Sequence, residues 1–339
     1  MPNVKVLATG AAAGGAAIGL VVGGVTLALG HRFVSEFTRP GVTLDPHGAL
    51  WGGWTFPEAI TEPPGERQRR VCFVAADGAP LRGEFWAQPQ LAPTIIISHG
   101  FHLPSVHFRS VAALEYAHGA NVFLFDYRGH GQSAQIPTTC GAAEVNDLLA
   151  AVQVAAGQAE TRPNAVYIHG FSMGAAVALL LPPQPAIAGI IADSPYARLD
   201  EMLLLVIAQI FDQETAQLRG PSRVVRKLIP LLAQLTLTSG RILFRARYHR
   251  QLVVHPEEAL ERHERAQILA TRTAAPPLLL IHAERDPLIA VRHAHRLVAA
   301  ARLAGRPIQE YYTPSQIHCG SYGHDPQRYM ALVQQFLAA

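Results

Sequence analysis

The chain has 339 residues, 49% of them hydrophobic and only 16% charged, which excludes an intrinsically disordered chain. Three cysteines, Cys72, Cys140 and Cys319, cannot all pair with one another, and a chain this long buries enough surface without disulfides. A net charge of +3 is too weak to point to nucleic acid.

Residues Val6–Gly30 carry no charge. About 20 apolar residues in a helix cross the hydrocarbon core, so residues 1–30 are expected to hold a single-pass membrane anchor. Gly10 and Gly14, then Gly15, Gly19 and Gly23, fall four apart, a spacing that lets two such helices approach as a homodimer. A cleaved signal peptide ending at Ala28-Leu29-Gly30 is the alternative. The side of the membrane that the rest of the chain occupies stays open, because large domains translocate largely regardless of flanking charge.

Residues 31–70 are rich in Pro, Gly and Trp and are expected to form a juxtamembrane linker with some packing around Trp51, Trp54 and Phe56. Val71–Ala75 and Leu81–Trp86 flank Asp77-Gly78, which predicts a β-hairpin. Short apolar runs then alternate with helical stretches. Strands are predicted at Thr94–Ser98, Val122–Phe125, Ala165–Ile168, Ile187–Ala192, Pro277–Ile281 and Ile308–Tyr312. Helices are predicted near 106–118, 141–157, 173–181 and 326–338. Nearly all-apolar strands alternating with helices imply a mostly parallel sheet covered on both faces, whose ligands bind at the carboxyl ends of its strands.

Residues 196–270 break this rhythm with an apolar helix at Met202–Phe211 and another at Ser222–Thr238 interrupted by Pro230. This insertion is expected to be a lid over the end of the sheet. From Thr215 to Pro256 it has no acidic residue but holds Arg219, Arg223, Arg226, Lys227, Arg241, Arg245, Arg247 and Arg250. A basic amphipathic lid of this kind would bind an anionic membrane and draw acyl substrates from it; the alternative is a solvated face.

Gly170-Phe171-Ser172-Met173-Gly174 follows a predicted strand and opens a predicted helix. A serine at the tip of such a tight turn needs glycine two residues to either side and stands above the sheet edge. Its hydroxyl is a poor nucleophile without a base, and the base needs an orienting acid. Asp286, in the loop after Leu278–Ile281, is the expected acid, with Asp193 the alternative; Glu284 is expected to be solvated. His318, after the last strand, is the expected base, with His324 the alternative. The amides of Met173 and Phe101, the latter in the loop His99-Gly100-Phe101, are the expected oxyanion donors. The close histidines His99, His102 and His107, and His293 and His295, lack metal-ligand spacing and are expected to be surface and loop residues.

From about residue 71 onward the chain resembles the α/β-hydrolase fold superfamily, and within it bacterial membrane-anchored serine hydrolases with a lid. The matching residues are His99-Gly100-Phe101, Asp126-Tyr127-Arg128-Gly129-His130-Gly131-Gln132-Ser133, Gly170–Gly174, Ala192-Asp193-Ser194-Pro195 and Asp286. In such relatives the catalytic histidine is followed by a Tyr, then Asp-Pro and a Tyr-containing helix, here Tyr322, Asp325-Pro326 and Tyr329, which favours His318 over His324. The resemblance implies an α/β-hydrolase fold for residues 71–339. It gives Arg128–Ser133 a structural role. Gln316-Ile317 departs from the small residues usual in the base loop. It further implies acyl transfer from an ester, thioester or amide through an acyl-enzyme on Ser172, without metal or organic cofactor. A peptidase of the same fold and a membrane-tethered binding protein without turnover are the alternatives.

Overall fold

In the computed structural model, residues 23–39, 61–216, 223–252, 254–262 and 275–338 are described. They fall into two compact units, one of the described residues up to 37 and within 203–252, the other of the remaining described residues.

The larger unit is built on one eight-stranded sheet. Its strands are β1 (Gln68–Val74), β2 (Pro80–Trp86), β3 (Ala92–Ser98), β4 (Asn121–Asp126), β5 (Thr161–Phe171), β6 (Ile187–Asp193), β7 (Leu278–Ala283) and β8 (Ile308–Thr313), in the spatial order β1-β2-β4-β3-β5-β6-β7-β8. β2 runs antiparallel to β1 and β4, and every other pairing is parallel. The β1–β2 turn is the expected one: Gly78 has φ +87° and donates to the Ala75 carbonyl at 2.8 Å.

The central strands are apolar on both sides because helices cover both faces. Ile95 and Ile97 join the core that includes α2 (Arg109–Ala117) and α10 (Pro326–Ala338). Their neighbour Ile96, equally buried, points the other way, as strand alternation requires. Helices α3 (Glu144–Ala156) and α4 (Met173–Leu180) pack on β5, and α8 (Arg292–Leu303) on β7 and β8. Parallel pairing brings Ser98 beside Gly170, Phe171 beside Asp193, and Ala283 beside Thr313. The loops after β3, β5, β6, β7 and β8 therefore leave the sheet at one edge, which positions the site.

The smaller unit includes α1 (23–37), the greater part of α5 (Leu199–Ala216) and α6 (Arg223–Tyr248). α1 runs past residue 30, where the sequence places the start of a linker. It lies against α6 through small residues. Ser239 Oγ donates to the Thr26 carbonyl at 2.9 Å, and a Cβ on Gly240 would stand 2.6 Å from the Phe33 ring. α6 does not break at Pro230. That residue is exposed, so solvent can satisfy the Arg226 carbonyl that loses its helical partner. Most of the expected anchor, residues 6–22, and the aromatic residues Trp51, Trp54 and Phe56 lie outside the described residues. Among those described, no helix is long and apolar enough to cross a membrane.

The ends of the insertion belong to the larger unit. The Leu199 amide donates to Val254 at 3.0 Å, and a short helix, α7 (256–262), follows. Arg296 of α8 pairs with Glu201 at 2.7 Å and with Glu257 at 2.6 Å, fastening both ends to the sheet's helical layer.

Candidate active site

Ser172 joins β5 to α4 with φ +52° and ψ −114°. A side chain in that region is strained by on the order of 1–3 kcal/mol, so the surroundings must hold it. They do so through the backbone: the Ser172 amide donates to the Asp193 carbonyl at 2.8 Å, and the Ala176 amide donates to the Ser172 carbonyl at 3.0 Å. The flanking glycines are obligatory. A Cβ on Gly170 would lie 2.6 Å from Ala175 Cα, and one on Gly174 would overlap the Ser98 carbonyl oxygen. Met173 is the first residue of α4, so its amide has no acceptor within the helix and points with the positive end of the dipole.

The loop after β3 comes against this turn: a Cβ on Gly100 would be 3.5 Å from Ser172 Cβ. Phe101 follows and is buried. The loop is shaped by His99 and His102, which the sequence places at the surface or in loops, together with His130. His99 is wholly buried, its Nδ1 2.8 Å from the Gly100 carbonyl while Nε2 accepts the Tyr127 amide at 2.9 Å. Burial, with the His130 ring beside it, pushes His99 down to about 3, so it is neutral with the proton on Nδ1. His130 Nε2 in turn accepts the His102 amide at 3.3 Å. His293 is also buried, contrary to expectation, because it lies on the inner side of α8; His107 and His295 are exposed as expected.

His318 and Asp286 meet after β8 and β7. His318 Nδ1 lies 2.7 Å from Asp286 Oδ2, and Asp286 Oδ1 accepts the amides of Leu288 and Ile289, each at 2.8 Å. Burial disfavours the charged forms of both groups, but each stabilises the other's charge. The net result is an imidazole well above its ordinary value and a carboxyl below its own. His318 Nε2, facing away from Asp286, has the Cys319 sulfur at 3.7 Å. Among the described residues no hydrogen bond joins the Ser172 hydroxyl to His318.

Among the described residues neither alternative is hydrogen-bonded to this pair. His324 is exposed at the end of α9 (Ser321–His324), and the Asp193 carboxylate binds Ser194 and Tyr329 instead of an active-site imidazole. Glu284 is exposed, as expected.

The stretch Arg128–Ser133 is structural, as the resemblance implied. Arg128 is buried against Asp147, which receives its Nε at 2.9 Å, and reaches Asp77 at 2.7 Å. Asp126 accepts the amides of Ser105 at 2.7 Å and Gln132 at 2.8 Å, locking this stretch to the loop after β3. The sequence offers no periodic signal for such a latch, since its members come from separate loops.

The family described as serine aminopeptidase, S33, matches residues 89–314. YqkD, an uncharacterized protein of Bacillus subtilis (strain 168), is 30% identical over 282 residues, 80% of each chain. Among solved structures, the esterase Pf2001 of Pyrococcus furiosus shares the fold with a TM-score of 0.59 at 19% identity, over 86% of this chain and 98% of that one. An acylaminoacyl peptidase of Pyrococcus horikoshii does so with a TM-score of 0.54 at 15% identity, over 80% of this chain and 41% of that one. By its sequence match and its fold, the chain belongs to the serine aminopeptidase S33 family of α/β hydrolases.

Proposed function

We propose that this hydrolase is a serine enzyme that cleaves a carboxylic ester, thioester or amide through an acyl-enzyme on Ser172, with an apolar acyl group favoured. The observations that carry the reading are a strained serine in the turn after β5 and a buried, hydrogen-bonded His318–Asp286 pair in the loops after β8 and β7, all of which leave the sheet at the same edge. The mechanism requires the Ser172 hydroxyl to reach His318 Nε2 when substrate binds, and catalytic hydrogen bonds often form only in the liganded site. His318 then takes the hydroxyl proton as Ser172 attacks the carbonyl carbon. The amides of Met173 and Phe101 hold the oxyanion. Protonated His318 passes its proton to the leaving alcohol, thiol or amine, and water repeats the sequence to free the acid. Asp286 keeps the imidazole in the Nδ1–H tautomer and stabilises its charge.

The test is labelling by a fluorophosphonate probe together with hydrolysis of a chain-length series of p-nitrophenyl esters. Both are expected in the wild type and neither in Ser172→Ala. The family description favours a second reading, peptide-bond cleavage, for which aminoacyl p-nitroanilides cleaved faster than any ester would be the sign.

We further propose that the chain is membrane-tethered through residues 6–30 and that the basic insertion lies on the bilayer as a lid. Support comes from α6, whose Arg226, Lys227, Arg241, Arg245 and Arg247 are exposed beside exposed Leu231 and Ile242. Each such charge near an anionic leaflet contributes about 1 kcal/mol. Co-sedimentation of the full chain with anionic over neutral vesicles, reduced by Arg241→Glu/Arg245→Glu, is the expected outcome. Equal recovery with both vesicles removes the lid's part in binding.

A further inference from the structure

Behind the active-site edge lies a line of four titratable side chains that the hydrolytic mechanism does not use. Glu115 of α2, His169 of β5, Tyr329 of α10 and Asp193 at the end of β6 are all fully buried. Glu115 Oε1 is 3.0 Å from His169 Nδ1, His169 Nε2 is 2.9 Å from the Tyr329 hydroxyl, and that hydroxyl donates to Asp193 Oδ2 at 3.0 Å. The Ser194 hydroxyl closes the line on Asp193 Oδ1 at 2.8 Å.

Donor and acceptor accounting restricts this line to a few states. The Tyr329 hydroxyl has one proton, and giving it to Asp193 obliges it to accept from His169 Nε2. A neutral His169 then presents a bare Nδ1 to Glu115, so the Glu115 carboxyl must carry a proton and donate it. Shift each of the three protons one place along and the opposite state results. Asp193 is then protonated and donates to Tyr329, Tyr329 donates to Nε2, and Nδ1–H donates to a Glu115 carboxylate. Three protons and one negative charge are present in both states. The intermediate, with both ring protons on His169 between two carboxylates, has the same count. No external donor is needed.

We propose that Glu115, His169, Tyr329 and Asp193 form a proton wire carrying a single negative charge, which resides on Asp193 while His318 is protonated and can withdraw to Glu115 when His318 is neutral. Asp193 is the better seat for the charge, since both its oxygens accept hydrogen bonds, whereas Glu115 Oε2 has no partner among the described residues. It is also the seat that matters to the site. The Asp193 carbonyl holds the Ser172 amide, and its carboxylate acts on the charges of His318 and Cys319. Burial pushes Asp193 up to about 6, which puts its charge in play near neutral pH. The groups facing it are Ser194, Tyr329, His169, His318 and Cys319; those facing His318 are Asp286, Cys319, His282 and Asp193. Asp193 is thus a positioning residue that follows the charge of the catalytic base, an assignment that rests on His318 being that base.

The test reads His318 without substrate. In full-length protein labelled with 15N-histidine, the His318 ring is identified by its loss in His318→Ala and then titrated. Asp193→Asn removes the charge, and Tyr329→Phe severs the wire and deprives Asp193 of its donor. Each is expected to lower the His318 pKa by about one pH unit. Glu115→Gln acts differently, because a neutral side chain at this position cannot take the charge, which then stays on Asp193, so the His318 pKa stays or rises. The His169 nitrogen shifts should then show the proton on Nε2 alone. A common downward shift in all three variants, or none in any, overturns the wire. Where Tyr329→Phe fails to fold, the opposite responses of Asp193→Asn and Glu115→Gln decide it. If the shifts are as expected but no ester, thioester or amide is cleaved, the wire stands and the serine-hydrolase reading falls.

Discussion

His318 and Asp286 are joined by a 2.7 Å hydrogen bond whose carboxylate is held on its other oxygen by two backbone amides, so the pair is fixed before any substrate arrives. The charge of Asp286 holds the imidazole well above its ordinary value. A general base works only when neutral, so kcat/KM should rise as pH passes upward through the His318 pKa, with a midpoint above the ordinary histidine value of about 6.5. Asp286→Asn removes the stabilising charge, so the midpoint should move down while the plateau falls by on the order of 10^4-fold. A pH–rate profile with p-nitrophenyl butyrate checks both. A midpoint unmoved in the variant would show that another group governs the profile.

Ser172→Ala should abolish fluorophosphonate labelling and reduce ester turnover by about 10^3-fold or more. The backbone stays at φ +52°, where alanine is as strained as serine, so the thermal midpoint should change little. A large fall in the midpoint would mean that the hydroxyl has a structural role, and lost labelling could not then be read as chemistry.

Gly174→Ala places a methyl group inside the contact distance of the Ser98 carbonyl. β3 and α4 must separate to admit it, and overpacking of this kind costs about 1–3 kcal/mol or more. Chemical denaturation should show that loss, and activity should fall with it because the Ser172 turn moves. Gly78→Ala is the useful contrast: nothing lies near its Cβ position, so the cost there comes only from φ +87°.

Arg128→Met should be among the more damaging changes away from the chemistry. It leaves Asp147, fully buried, without its cation and releases the Asp77 contact. Removing one member of a buried ion pair costs about 3–5 kcal/mol. Urea unfolding should record it, and Asp147→Asn in the same chain should restore part of the loss by removing the stranded charge.

The alternation of strands and helices, the serine turn with its flanking glycines, and the order in which Ser172, Asp286 and His318 occur are all legible in the residues alone. These are local properties: apolar periodicity and the steric needs of one tight turn are written in neighbouring residues. The burial of His99 and His293 and the uninterrupted passage of α6 through Pro230 are not legible there, because whether a polar or helix-breaking residue is tolerated depends on what packs around it. It takes the packed chain to show that the Asp193 carboxylate hydrogen-bonds to Tyr329, 136 residues on, and that His169 bridges Tyr329 to Glu115. Side-chain partners that distant are selected by which strands lie side by side and which helices cover them, and no spacing along the chain encodes that choice.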